Sequence, residues 1–473
     1  MSAGRHVVVV GGGISGLAAA HRICRLAAAD PPRVTVLEAE QRLGGKIRTE
    51  VFAGRPFDAG AEALLTRVPE AVALCRELGL EHALVAPASD QAYLWTRGGL
   101  RPLPRQMMAG APGGASSVAS TGILSHLGLA RAGFDLLLPS RPPDHDVSIG
   151  QLVRRRLGHE VLERLVDPLL GGIHAGSCDE LSVRATAPQL VAALRSHRGL
   201  VRGLRAAAAG SSATPGPTFL SLSGGLGELV RVLRSRLDGA EVRTGTAVQT
   251  LEALPEGRTR LLLAGDEQLV ADHVVLAVPA HAAVGILEQA CAPAAHELQT
   301  IDYASVATVL LSYPLEALAD PLPGTGFLVP RTERRTLTAC TWSSAKWAHL
   351  TGETMLLKAS VGRAGDRHAL DLTDEQIAEH VHAELVEAMG LRRQPLDVKV
   401  VRFERALPQY HVGHFERVAR VESALRELPG VHLAGAAFHG VGVGACIRDG
   451  EAAAARIAAE LSLTGRPCVG ITT

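Results

Sequence analysis

The most informative stretch of hydrophobic patterning is at the start of the chain. His6–Val10 carries four consecutive valines with no polar alternation, which predicts a short parallel strand buried on both faces. Glycines follow at 11, 12, 13 and 16, and Leu17-Ala18-Ala19-Ala20 then opens a helix, so the expected order is strand, turn, helix. Val34-Thr35-Val36-Leu37 reads as a second strand, and apolar spacing over 72–80 predicts a helix. Residues 100–205 are helix-rich, with apolar positions at helical spacing in 149–153 and 161–166, broken by a Gly/Ala/Ser/Pro loop at 109–117. The small-residue stretch 206–217 (AAAAGSSATPGP) predicts a mobile loop. Between 300 and 403 the pattern changes to strands, expected at 305–313, 336–341, 355–361 and 398–403. One helix interrupts them, 373–389, with Thr373 as N-cap and Glu375 and Glu379 near its start. A strand and turn at 241–248, a buried strand at 272–278 stopped by Pro279, and a strand at 431–435 leading into an Ala-rich helix to about 461 complete the reading.

Charge and composition narrow the function classes. Lys+Arg and Asp+Glu both total 48, and no run of five like charges occurs, which argues against nucleic acid as a partner. The 473 residues suggest two or three domains. Seven scattered cysteines without a C-x-x-C pair fit a reduced, cytoplasmic chain, and no dense Cys/His/Asp/Glu cluster is visible, so no metal is expected. The apolar start is interrupted by its glycines and reads as strand-turn-helix in place of a signal peptide, and no apolar run reaches 18 residues.

Candidate chemistry begins with Gly11, Gly13 and Gly16, which have G-x-G-x-x-G spacing around Ile14 and Ser15. The first glycine permits a tight turn, the second close approach of a pyrophosphate, and the third close packing of helix on strand. The helix start adds free N–H groups and roughly half a positive charge. Glu38 ends the second strand 22 residues after Gly16, where a carboxylate can accept ribose hydroxyls and disfavour a 2′-phosphate. Arg42-Leu43-Gly44-Gly45-Lys46-Ile47-Arg48-Thr49 then offers a second glycine pair, with Arg42 able to donate to a diphosphate. Gly442 and Gly444 in FHGVGVG would let the last helix start close to a cofactor ring, its positive end towards that ring.

This second block and the later Phe57-Asp58-Ala59-Gly60-Ala61 resemble the flavoprotein superfamily of amine oxidases, phytoene desaturases and protoporphyrinogen oxidases. The resemblance implies non-covalent FAD on a Rossmann-type α/β domain, with an inserted α+β substrate domain and a helical domain. The expected boundaries are 1–66, 218–290 and 415–473 for FAD, 67–99 and 291–414 for substrate, and 100–217 for the helical, membrane-resting part. It further implies cofactor contacts from Ala39, Lys46, Gly60, Ala61, Glu62, Val248 on the adenosine side, Val278, Trp342, Gly435, Val441, Gly442 and Val443. The superfamily often has an acidic residue or Asn where this chain has Ala436, which leaves the ribityl contact there unassigned.

Further segments narrow the resemblance to porphyrinogen oxidases: Asp167-Pro168-Leu169-Leu170-Gly171-Gly172-Ile173-His174-Ala175-Gly176, Phe219–Leu226, Cys340–Trp347, Leu407–His414 and Phe438–Val443. Together with the N-terminal block they run from about residue 6 to residue 455, and His174 departs from the aromatic residue usual before Ala175-Gly176. The implied reaction is oxidation of coproporphyrinogen III to coproporphyrin III, and in some members protoporphyrinogen IX to protoporphyrin IX. Six electrons leave in three two-electron steps, with O2 as acceptor and H2O2 as product. Flavin N5 would carry the chemistry, so no catalytic side chain is assigned. Arg67 is the first candidate for a carboxylate clamp and His174 a second substrate contact, each with a purely structural alternative. Peripheral contact with the inner face of the membrane and a ferrochelatase partner belong to the same implication. Two other readings remain open: an amine oxidase or carotenoid desaturase, which the 3% aromatic content disfavours, and a non-catalytic relative like the Rab GDP-dissociation inhibitors, which the intact glycines disfavour.

Overall fold

The computed structural model describes residues 5–26, 31–104, 107–108, 111–112, 118–139, 141–211 and 216–461. A five-stranded parallel sheet runs in the order Glu241–Arg243, Arg33–Leu37, His6–Val10, His273–Leu276, Val431–Leu433. The unbroken valine run now has its reason. Val7 and Val9 face a core with Leu17, Ala18 and Ile447 from the helices Ile14–Cys24 and Val443–Glu460. Val8 and Val10 face the opposite core, with Leu261 of an antiparallel three-stranded meander and Ala283 and Leu287 of the helix Ala280–Leu287. Two helices cross at bare backbone: a Cβ on Gly450 would lie 2.1 Å from the Ser15 carbonyl oxygen.

A seven-stranded mixed sheet follows the order Asp397–Pro408, Tyr303–Pro314, Thr354–Val361, Leu337–Thr341, Gly326–Leu328, Tyr93–Thr96, Gly99–Pro102. All four predicted strands of the 300–403 region belong to it. The intervening helix Asp374–Met389 begins at a Thr373–Gln376 capping box, with Thr373 as the expected N-cap. A third core is helical, built around Leu152, Val161, Leu165 and Leu190, and includes a π-helical stretch, Leu162–Gly171, with Pro168 inside it. The fold class expected from the sequence is the one observed, a mixed α/β architecture around a Rossmann-type sheet.

One local expectation fails. Residues 206–211 are not a loop but the end of the helix Leu200–Ser211, because consecutive alanines favour helix more than any other residue. The remainder of that predicted loop up to 215, and most of the loop at 109–117, lie outside the described residues. Among the described residues no helix is long and apolar enough to cross a membrane.

Candidate functional site

A cavity of about 740 Å³ opens at the carboxyl ends of the parallel strands, within the range of 300–1,000 Å³ usual for ligand sites. Its first wall is the turn Gly11–Ser15. Gly11, at φ +106°, packs so closely on the Ala277 carbonyl that a side chain there would overlap it. Gly16 has the same tightness from the other side, since a Cβ would lie 2.0 Å from the Gly11 carbonyl oxygen. Gly13 is different: nothing lies within 4 Å of where its Cβ would be. Gly13 is the N-cap of the helix Ile14–Cys24, so its neighbours' N–H groups open onto the same space.

The second glycine pair braces the first. Gly44 N–H donates to the Gly12 carbonyl at 2.8 Å, and a Cβ on Gly45 would lie 3.5 Å from the Gly13 Cα. Arg42 lines the cavity while its guanidinium donates to the Gly45 carbonyl at 2.6 Å, so it also stiffens this loop. Glu38 is held at both ends: Oε2 accepts the Gly12 N–H at 2.7 Å and Oε1 the Glu40 N–H at 2.8 Å. Each carboxylate oxygen keeps a lone pair for a hydroxyl of a ligand in the cavity. Ala39, Val248 and Val278 continue the wall.

At the other end stand Lys46, Ala61, Gly435, Ala436, Val441 and Val443, the last opening the helix Val443–Glu460 with Gly442 as its N-cap. Two helix starts therefore face one cavity, a favourable arrangement for negative charge. The strands Tyr303–Pro314 and Asp397–Pro408 bring Tyr303 and Arg405 to the same end, where sequence reading had assigned nothing. His281 stands edge-on to Tyr303 at 4.8 Å, and burial with the nearby Arg405 and Lys46 charges pushes its pKa down to about 4, so it is neutral near pH 7.

Asp449 is a residue the sequence reading missed. It is buried and accepts the Gly435 N–H at 3.0 Å and a bond with His439 Nδ1 at 2.8 Å. A carboxylate, absent at Ala436, thus reaches the same strand end from nearly two turns into the helix. Only its i, i+6 spacing from Val443 marked it, and that is no signal without the fold.

Other candidates fall outside the cavity walls. Gly60 is a packing glycine whose Cβ would lie 2.0 Å from the Lys46 carbonyl oxygen. Beside it, Glu62 is gripped by two ammonium groups, Lys346 at 2.5 Å and Lys358. Burial pushes this carboxyl up, but the two lysines outweigh burial and hold it well below the usual carboxylate range. Trp342 is not brought to the cavity: its indole is enclosed by Tyr93 and Phe327, ring centroids 5.5 and 6.3 Å away. His174 is buried against Tyr410, and burial lowers its pKa to about 4, which makes it a neutral packed ring. Arg67 is exposed on the turn before the helix Glu70–Glu77. A smaller cavity of about 160 Å³ lies between the π-helical stretch and the seven-stranded sheet, with Arg331 and Arg363 in its wall.

The residues present fit an elongated dinucleotide: bare backbone at Gly13, an anchored carboxylate at Glu38, and helix N-termini at both ends. Comparison with known proteins agrees. The family model described as flavin containing amine oxidoreductase matches residues 14–458. Coproporphyrinogen III oxidase of Bacillus subtilis (strain 168) is 38% identical over 95% of this chain and 97% of its own length. The enzyme of that name from Staphylococcus aureus is 32% identical over 97% and 100%, and bovine protoporphyrinogen oxidase is 32% identical over 96% and 98%. A crystal structure from Exiguobacterium sp. 255-15, provisionally named a protoporphyrinogen oxidase, superposes with a TM-score of 0.87 at 33% identity, covering 97% of this chain and 99% of that one. Cyclohexylamine oxidase from Brevibacterium oxydans shares the fold, with a TM-score of 0.69 at 20% identity, covering 97% and 100%. The chain belongs to the flavin-containing amine oxidoreductase family, with FAD as its cofactor.

Proposed function

We propose that this protein oxidises coproporphyrinogen III to coproporphyrin III, and protoporphyrinogen IX more slowly. The balance is one porphyrinogen and three O2 giving one porphyrin and three H2O2. Bound FAD supplies the two-electron acceptor for each step. The chain's own part is to bind, orient and exclude water. Glu38 and the turn Gly11–Ser15 hold the adenosine and diphosphate end, and the start of the helix Val443–Glu460 puts positive potential at the ring end. His281 and Tyr303 are both neutral near pH 7, since burial lowers the pKa of the first and raises that of the second. Arg67 is the candidate clamp for substrate carboxylates: it is exposed, and its neighbour Val68 packs on Gly444 in the first turn of the helix Val443–Glu460.

The observation that carries the reading is the likeness to enzymes named coproporphyrinogen III oxidase along nearly the whole chain. The test is aerobic incubation of purified protein with each porphyrinogen and with putrescine and cyclohexylamine, following porphyrin fluorescence and peroxide. Coproporphyrin should appear with three peroxides per ring. Turnover of an amine with neither ring oxidised would overturn the substrate assignment. Peripheral contact with a membrane is part of the proposal, supported by the exposed Leu127, Phe134, Leu136 and Leu137 around the helix His126–Gly133.

A further inference from the structure

The parallel sheet has a second end, away from the cavity, and there the fold assembles a group that sequence spacing conceals. Val275 pairs with His432, and in strands side chains alternate, so His273 and His432 point to the same face of adjacent strands. That face is covered by the helix Val443–Glu460, whose last residue arrives over both histidines. The rings lie 5.9 Å apart at 25°. His273 Nδ1 is 3.2 Å and His432 Nε2 is 3.4 Å from Glu460 Oε2, and the three ligand atoms all lie within 4.8 Å of one another. Among the described residues this is the one such group of three.

The two His–Glu distances match the edges of a metal's coordination shell. Metal–ligand bonds of about 2.0–2.2 Å in a tetrahedron give ligand–ligand edges of about 3.3–3.6 Å. Both histidines are 8% exposed, and the two nitrogens facing Glu460 have no hydrogen-bond partner, a costly state for a buried polar atom. Burial lowers both pKa values, for His432 to about 4, so both rings offer a neutral lone pair near pH 7. Glu460 is about half exposed, which gives an ion a way in and leaves a coordination position open to water. The nearby cations are otherwise engaged: Arg456 donates to the Leu433 carbonyl and Arg5 to the Leu461 carbonyl.

We propose that His273, His432 and Glu460 bind one divalent transition-metal ion, with zinc the best fit to two imidazoles and a carboxylate. Occupied, the site ties the last turn of the Val443–Glu460 helix to the starts of two strands of the cofactor-binding sheet. The helix is about 27 Å long at 1.5 Å per residue, so the ion lies far from the flavin cavity and stabilises without entering the reaction.

The test uses the flavin-loaded full chain, stripped with EDTA, desalted and titrated with zinc sulfate against a chromophoric chelator, with retained zinc measured by mass spectrometry. Wild type should retain one zinc per chain and melt at a higher temperature as zinc rises. His273→Gln and Glu460→Gln should each weaken binding at least tenfold and lose the melting shift while keeping the flavin absorbance. Glu460 sits at an exposed helix end, so Glu460→Gln remains decisive if the buried substitution misfolds. A wild-type chain that retains no zinc, or variants that retain as much as wild type, would overturn the proposal.

Discussion

Substituting Gly13 by alanine separates a folding glycine from a binding glycine. At Gly11 and Gly16 a methyl would collide with backbone, so failure there would say nothing about a ligand. At Gly13 the backbone is ordinary, φ −70° and ψ 175°, and the added methyl meets no protein atom within 4 Å. The flavin-free chain should therefore fold as well as wild type, and gain roughly 0.4–1 kcal/mol from the reduced freedom of its unfolded state. The same methyl projects into the space where a diphosphate must approach the helix start. Pushing that group away weakens one or two charge-assisted hydrogen bonds of about 1.5–3 kcal/mol each. At about 1.4 kcal/mol per factor of ten, the dissociation constant for FAD should rise roughly tenfold to a hundredfold for one bond, and up to about ten-thousandfold if two are lost. The assay is paired: urea unfolding of deflavinated protein, and FAD titration followed by quenching of flavin fluorescence. An alanine variant that binds FAD like wild type would refute the placement of the diphosphate over Gly13. One that unfolds without FAD would refute the reading that the position is free of protein contacts.

Two further substitutions probe features beyond the glycine turn. Glu62→Gln leaves the ammonium groups of Lys346 and Lys358 largely buried without their shared carboxylate, and should cost about 3 kcal/mol in urea unfolding. Adding Lys358→Met should return part of that loss, and a loss below about 1 kcal/mol would show that the triad carries little weight. Because the folded-state pKa of Glu62 is depressed, its contribution is present above the ordinary value of 4.5 and fades as pH falls towards the depressed one. The wild-type minus Glu62→Gln difference should therefore be flat from pH 6 to 8 and shrink only in acid. For the exposed helix, Leu127→Ser with Leu137→Ser should reduce co-sedimentation with phospholipid vesicles several-fold while porphyrinogen oxidation in detergent is unchanged. Equal co-sedimentation would remove this surface from membrane contact.

What could be read in the sequence follows from how locally each feature is encoded. The glycine turn, Glu38 and the second glycine pair lie within 40 residues, and each does its work through backbone shape, so spacing alone exposed them. The same holds for Thr373, whose cap needs only its own helix. Trp342 and Glu62 mark the limit. A tryptophan beside the cofactor and one sealed between Tyr93 and Phe327 are identical as letters, and the two lysines on Glu62 are about 280–300 positions away. Asp449 and the His273–His432–Glu460 group were hidden for the same reason, since their partners meet only when the parallel sheet brings distant strands together. A dinucleotide turn depends on bare backbone over a few residues, whereas a charged or metal-binding group depends on topology. In a chain whose cofactor sheet is assembled from three distant stretches, the second kind of site becomes visible only once strand order is known, and the end of the sheet opposite the cavity is where it is most easily overlooked.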